Sequence, residues 1–304
     1  TTVCAMLQKL FLNNHMLCAT VGTNGFFLKD RVTKSSHTTP ELFELYGFIA
    51  EAVKAGCTHF IAEVSSLSVK QGRIAGLTFD LGIFTNIYPD HIGGNEYAYW
   101  KKRFFKNCKK VLLNRDDPFS FEIAADKNGV CSWYSASVCA DGYASEIEKD
   151  VEIDGLYQHF LWHWQKMPAR SISLKLPGLC NVSNAAAALS AFCLLTSDDQ
   201  YDSYQLDFST FSVRGRFEMV GHFQGGTIMI DYAHNEASLK NLLESLRAYH
   251  PNRILCMFGC GGNRSAVRRS AMGRVSSELA DLTIITQDNS RDEPFEQILA
   301  DILL

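Results

Sequence analysis

The chain has 304 residues, 46% hydrophobic and 20% charged, which excludes disorder and fibrous repeats and by length points to about two domains. Lys+Arg 29 against Asp+Glu 33 leaves a formal net charge of -4, which argues against a broad nucleic-acid footprint and a polybasic membrane surface. No apolar run reaches the roughly 18 residues of a membrane span, and TTVCAMLQKLFLNNHM lacks the charged start and cleavage site of a signal peptide, so a soluble protein is expected.

In chain order, TVCAMLQKLFLNN reads as an amphipathic helix with Val3, Met6, Leu7, Leu10 and Phe11 on one side. LCATVG follows as a short apolar strand. Residues 40–55 read as a helix with Pro40 at its first position and Gly56 at its end. THFIAEV and LTFDLGIFTN read as strands, KKRFFKN as part of a helix, and KKVLLN as a strand again. Strands separated by helices imply a parallel sheet with helices on both faces.

Residues 126–175 differ, with KNGVCSWYSASV and SISLKLPG reading as short strands of a β-rich insertion. NVSNAAAALSAFCLLTS is an alanine-rich helix opening with asparagines. A second alternation starts near residue 217: strands GTIMIDYA, RILCMFGC and DLTIITQ alternate with helices ASLKNLLESLRAY and MGRVSSELA. The expectation is an α/β domain over 1–216 and a smaller α/β domain over 217–304, with the boundary near Arg216–Glu218.

The 10 cysteines are scattered, and none has the spacing of a CxxC or zinc motif. Reduced thiols, mostly buried, in a cytoplasmic protein are expected. Ligands of open α/β sheets gather beyond the carboxyl ends of the strands. Three such ends carry polar chemistry: Glu63, Ser65 and Ser66 after THFIAEV; Asn86, Asp90 and His91 after LTFDLGIFT; and Asp231 and His234 after GTIMI. A carboxylate and an imidazole at neighbouring strand ends can jointly hold a divalent cation beside phosphate.

The stretches HTTPE (37–41), EVSSLSVKQGRIAGLTFD (63–80), FTNIYPDH (84–91), PGLCNVSNAAAA (177–188), RGRFE (214–218), DYAHNEASL (231–239), FGCGGNR (258–264) and DNSR (288–291) together resemble the Mur ligases, in the family's order and over nearly the whole chain. The resemblance implies a central parallel-sheet ATPase domain followed by a smaller Rossmann-like C-terminal domain, incomplete here. It also implies an enzyme that spends ATP to join an amino acid to a nucleotide-linked peptide, and within the family it points to the branch that adds the third residue to UDP-N-acetylmuramyl-L-alanyl-D-glutamate. The substrate carboxylate is phosphorylated and the incoming amine attacks the acyl phosphate, so cations around the phosphates matter more than a nucleophile.

Residue by residue, the resemblance implies Glu63 and His91 as magnesium ligands, with Lys101, four after Tyr97, as a carbamylated lysine that helps hold the metal. Asn86, Asn181, Asn184, Arg216, Asp231 and His234 are implied on the ATP side, and Thr38, Thr39, Ser66, Gln71 and Arg73 on the UDP-muramyl side. Asp288, Asn289 and Arg291 are implied to read the amino acid; Arg291 favours meso-diaminopimelate over L-lysine, because a guanidinium pairs with the distal carboxylate. The implied partners are ATP, Mg2+ and the small-molecule substrates, with no nucleic acid, no membrane span and a monomeric protein. Read from the residues alone, Lys101 is equally a solvated lysine on a basic face, Asn181 and Thr39 are equally helix caps, and VGTNG lacks the Lys-Ser/Thr of a phosphate loop.

The sequence also departs from the family pattern. It opens TTVCAML, where the family has a GTNGKT loop before its threonine-rich helix start, and the phosphate-cradling lysine and the uridine-binding domain are not among its residues. The His91–Tyr97 segment is short, Ser290 stands where proline is usual, and DNSRDEPFEQILADILL stops before a Gly-His-Glu motif. The residues are therefore expected to be part of a longer chain, since a true truncation would be inactive. The other readings are a folylpolyglutamate- or cyanophycin-type ligase, against which EVSSLSVKQGR and HTTPE argue, and a non-catalytic nucleotide-binding relative.

Overall fold

A computed structural model describes residues 1–87, 94–127, 131–152, 155–196, 198–263 and 266–304. The described chain divides into two compact units. One comprises Thr1–Glu148, Gln158–Lys175 and Asn181–Arg214; the other comprises Lys149–Tyr157, Leu176–Cys180 and Gly215–Leu304.

The first unit opens with α1 (Thr2–Asn13), which buries Val3, Met6, Leu7, Leu10 and Phe11, the stripe its periodicity defines. β1 (Cys18–Gly22), β2 (Gly25–Leu28) and β3 (Arg31–Thr33) follow. Gly22 opposes Gly25 across a two-residue Thr23–Asn24 turn, and Gly25 sits at φ 107, where a side chain would be strained. VGTNG is therefore a hairpin turn.

α2 (Leu42–Lys54) begins two residues later than the sequence suggests, with Glu41 at its N-cap and Pro40 outside it. β4 (His59–Ala62), α3 (Ser66–Lys70) and β5 (Phe79–Phe84) lead to α4 (Gly94–Phe104), β6 (Cys108–Asn114) and α5 (Phe119–Asp126). Then come β7 (Cys131–Ser135), β8 (Gly142–Glu152), β9 (Gly155–Trp164), β10 (Arg170–Leu174) and α6 (Leu179–Leu195).

The expected parallel sheet is realised as two sheets. One has the order β3-β2-β1-β4, with β1 and β4 parallel. The other has the order β10-β9-β8-β7-β6-β5, parallel from β5 through β8, with β10 antiparallel to β9. The β-rich stretch after residue 126 thus continues the six-stranded sheet.

α6 fills the centre of this unit. Ala185 to Ala188 are all fully buried, and a helix apolar all round belongs inside. Phe192 lies 5.3 Å from Phe11 of α1, while Ser190 closes on β8: a Cβ at Gly142 would sit 2.4 Å from its hydroxyl and 2.3 Å from Trp162. Small residues at this crossing let helix and sheet touch at backbone distance.

The second unit contains the antiparallel pair β11 (Glu218–Phe223) and β12 (Gly226–Ile230), α7 (Glu236–Arg247), β13 (Leu255–Phe258), α8 (Ala266–Leu279), β14 (Leu282–Ile285) and α9 (Phe295–Leu303). β13 and β14 are parallel. Leu239, Leu243, Cys256, Met272, Val275, Ile298 and Ile302 form its core. All ten cysteines are free thiols. Burial pushes Cys4 up to about 11 and Cys18 and Cys108 up to about 12, so these stay protonated and inert at neutral pH. No helix among the described residues is long and apolar enough to cross a membrane.

Candidate active site

β1 and β4 run parallel with Val21 opposite Ala62, so their carboxyl ends emerge side by side. Glu63 is the first residue past β4, and its amide donates to Val21 O at 2.9 Å. Its carboxylate gathers donors: Thr1 Oγ1 and Thr23 Oγ1 each reach Oε2 at 3.0 Å, and the Thr23 amide reaches Oε1 at 3.1 Å. The Thr38 hydroxyl lies 3.2 Å from that of Thr23. The carboxylate and the hydroxyls beside it are oxygen ligands of the kind a magnesium ion takes, although the Thr23 amide and the amino group of Thr1, 3.4 Å from Oε2, share the carboxylate here.

Gly22 makes this placement possible, because a Cβ there would sit 2.1 Å from Glu63 Oε1. The atoms displaced, Oε1, Cδ and Cγ, all belong to the flexible Glu63 side chain, so Gly22→Ala is expected to fold, with a thermal midpoint within about 4 °C of the parent. The misplaced carboxylate should still lower turnover about a hundredfold. Calorimetry and a ligation assay on the same sample test both halves.

Thr39 is fully buried and spent internally. Its hydroxyl donates to Glu63 O at 2.8 Å and accepts from the Ser65 amide at 3.0 Å. Arg73 is 7% exposed, donating to Thr39 O at 3.0 Å and pairing with Glu41 at 3.1 Å. These two residues lock the loop behind Glu63 from within. Ser66 opens α3, capped by Ser65, whose hydroxyl accepts from the Ser68 amide at 3.2 Å, and Gln71 is exposed at the helix's end.

At the carboxyl end of β5, Lys101 reaches back from α4 to donate to Asn86 O at 2.8 Å. Its ammonium lies 5.0 Å from the Tyr97 ring centroid and 5.8 Å from that of Phe84. Burial against these rings lowers its pKa to about 8, with the Asp117 carboxylate opposing the shift. The solvated-lysine reading is therefore wrong: the side chain turns inward. Three side chains fix the strand end beneath it. Tyr134 OH donates to Phe84 O at 3.1 Å, Asn114 Nδ2 to Thr85 O at 2.7 Å, and Asp117 Oδ2 accepts from the Ile87 amide at 2.9 Å. His91, with Asp90, lies outside the described residues.

Asn181 is buried in the first turn of α6, which starts two residues before it. Its Oδ1 accepts from Asn184 Nδ2 at 3.1 Å, so the two amides act as one unit rather than as an N-cap.

In the second unit, Asp231 ends β12 and accepts from the amides of Phe217 at 2.9 Å and Ala233 at 2.8 Å. Burial pushes its carboxyl upward, against these two amides and the Arg216 charge. The Arg216 guanidinium stacks 4.8 Å over the Tyr232 ring. His234 is exposed, its Nδ1 3.0 Å from Tyr232 O.

The loops after β13 and β14 are zipped together. Gly262 donates its amide to Asn289 O at 2.8 Å, and Arg291 Nη1 donates to Gly262 O at 3.2 Å. A Cβ at Gly262 would fall 1.8 Å from Ser290 O, so only glycine permits the contact. Asp288 and Asn289 are exposed beside it. Arg264 lies outside the described residues.

Sequence reasoning missed Thr1 and Thr23 as partners of Glu63, Asn114 and Asp117 behind Lys101, and Arg269 beneath the zipped loops. The LNRDDP stretch after a strand was a usable signal for Asn114 and Asp117, since Asn and Asp there bind backbone amides. Thr1, Thr23 and Arg269 gave none, because their partners are distant in sequence.

Comparison with known proteins completes the picture. The Mur ligase middle domain pattern matches residues 1–192, and that of the Mur ligase glutamate ligase domain matches residues 215–303. The chain belongs to the Mur ligase family. It is 33% identical over 307 residues to a UDP-N-acetylmuramoyl-L-alanyl-D-glutamate–2,6-diaminopimelate ligase of Caldanaerobacter subterraneus subsp. tengcongensis, covering 99% of this chain and 62% of that protein. It is 30% identical over 314 residues to the ligase of the same name from Clostridium perfringens, covering 100% of this chain and 63% of the relative. The chain thus spans less than two thirds of these relatives' length. A solved structure of a ligase of that name superposes with a TM-score of 0.68 at 26% identity, over 99% of this chain and 62% of the other. A Mycobacterium tuberculosis folylpolyglutamate synthase with ADP gives 0.76 at 15% identity, over 99% and 75%, a likeness of fold alone.

Proposed function

We propose that the protein is an ATP-dependent ligase of peptidoglycan precursor synthesis, which adds meso-diaminopimelate to UDP-N-acetylmuramyl-L-alanyl-D-glutamate. The γ-phosphoryl group of ATP passes to the substrate carboxylate, giving ADP and an acyl phosphate. The amine of the incoming residue then attacks the acyl carbon, the amide bond forms, and phosphate leaves. The observation that carries the choice of amino acid is Arg291, presented by the loop after β14 on the Gly262 carbonyl, in a chain whose relatives are named 2,6-diaminopimelate ligases.

Magnesium fits the oxygen set around Glu63; Glu63, His91 and carbamylated Lys101 would hold it, and bound there it offsets phosphate charge. Lys101 enters this set by its own chemistry. The ammonium first gives one proton to solvent; the neutral amine then attacks carbon dioxide, an N–C bond forms, a second proton leaves to solvent, and a carbamate anion results. The lysine's pKa of about 8 supplies the neutral amine near physiological pH.

Asn86, Asn181 and Asn184 serve the nucleotide of ATP, Arg216 its phosphates, and Asp231 and His234 its ribose. Thr38, Thr39, Ser66, Gln71 and Arg73 serve the UDP-muramyl peptide, Thr39 and Arg73 also keeping the loop that carries them in shape. Asp288, Asn289 and Arg291 read the amino acid, and the domain boundary expected at 216/217 lies two residues past the Arg214/Gly215 division of the compact units. The protein acts as a cytoplasmic monomer on small molecules, without nucleic acid.

Arg291→Ala tests the assignment in the full-length protein. The bidentate guanidinium–carboxylate contact is worth about tenfold or more in selection, so kcat/KM for meso-diaminopimelate should fall by at least that factor, with the KM for ATP unchanged. A variant that keeps full use of diaminopimelate would refute it.

A further inference from the structure

We infer that Glu293, gripped by the buried Arg269, is a positioning residue for amino-acid selection, acting through the Gly262 carbonyl on which Arg291 rests. This deepens the reading of the 288–291 loop proposed above and rests on it.

Arg269 stands in α8 and is 2% exposed. A buried guanidinium needs paired acceptors, and it has them: Nη1 meets Asp301 Oδ2 at 2.7 Å, and Nη2 meets Glu293 Oε2 at 2.6 Å. Nη2 also donates to Gly261 O at 3.2 Å. The two carboxylates differ in what they do next. Asp301 lies on α9, and among the described residues its other oxygen accepts only from Gln297, one helical turn away, at 3.1 Å. Glu293 turns its other oxygen to the loop, where Oε1 accepts the Asn263 amide at 2.7 Å.

The Glu293 amide also donates to Ser290 O at 3.0 Å, and Asn263 Nδ2 donates to Asp292 at 2.9 Å. Gly262 is therefore held on both sides, at Gly261 by Arg269 and at Asn263 by Glu293, so its carbonyl cannot turn away. Arg291 uses that carbonyl as its rest, from a backbone at φ 50 that a non-glycine residue adopts only when held there. With serine at 290 instead of a ring that fixes φ, the loop's conformation depends on these contacts from below. One arginine thus feeds two ion pairs, and only the Glu293 arm reaches the selecting side chain.

The test compares Glu293→Ala, Glu293→Gln, Asp301→Ala and Arg291→Ala in the full-length protein, by steady-state kinetics and thermal unfolding. Glu293→Ala should raise the KM for meso-diaminopimelate about tenfold, with the KM for ATP unchanged. Glu293→Gln, which keeps an oxygen for the Asn263 amide, should recover part of that loss. Asp301→Ala should lower the thermal midpoint as much as Glu293→Ala while keeping the parent's KM. If Arg291→Ala raises this KM but Glu293→Ala does not, or if Asp301→Ala raises it equally, the inference is overturned and the reading of the loop stands. If Arg291→Ala leaves the KM unchanged, the reading itself fails, and the inference with it.

Discussion

Replacing Lys101 with alanine should lower ligase turnover about a thousandfold, the scale of losing one preorganised charge at the reacting phosphates. The side chain sits against Tyr97 and Phe84 with its ammonium on Asn86 O, a position that packs little core, so stability should change much less than activity. A carbamate at this point is a carboxylate on a long stem, so acetate or propionate should partly restore the alanine variant. The pH dependence has a definite sign. Lys101 titrates near 8, and only its neutral form reacts with carbon dioxide. At a fixed concentration of dissolved carbon dioxide, reactivation of a carbon-dioxide-stripped enzyme should therefore accelerate as pH rises toward 8 and level off above it. An alanine variant indifferent to short acids, together with pH-independent reactivation, would remove the carbamate from the account.

Glu63→Gln is expected to be nearly as severe, with about a hundredfold to thousandfold loss. Gln keeps an oxygen for the hydroxyls of Thr1 and Thr23, so the strand end stays folded, but the charge that would hold magnesium is gone. The signature is a raised magnesium requirement with the KM for the UDP-dipeptide unchanged. A variant within threefold of the parent at low magnesium would exclude Glu63 as a metal ligand.

Much of the fold was legible because apolar periodicity is a local signal. The stripe of α1 and the alanine run of α6 could be read directly. Of the elements that escaped, β2 and β3 form around a tight turn, α3 has five residues, and α5 follows a turn rather than a clear cap; β8, β9, β11 and α9 escaped as well. The break between β4 and β5 was not legible either, since strand pairing is a tertiary choice that period alone does not encode.

At the site, strand ends marked Glu63, Asn86 and Asp231, because polar residues after apolar runs are visible in one dimension. Their division of labour was not visible. The sequence suggests for Thr39 only a substrate contact or a cap, and its hydroxyl also ties Glu63 O to the Ser65 amide. Arg269 carries no reading at all in the sequence, where the expected helix begins only at Met272, yet it is the buried anchor of two carboxylates. Burial decides such cases, and burial depends on partners far away in sequence.

The central claim is tested most directly by incubating the full-length protein with ATP, magnesium and UDP-N-acetylmuramyl-L-alanyl-D-glutamate, offering meso-diaminopimelate and L-lysine separately, and measuring the UDP-tripeptide formed. The account predicts ATP-dependent product with diaminopimelate and at least about tenfold lower kcat/KM with lysine, which lacks the carboxylate that Arg291 would grip. Comparable or faster turnover with L-lysine, or no product with either, would contradict it.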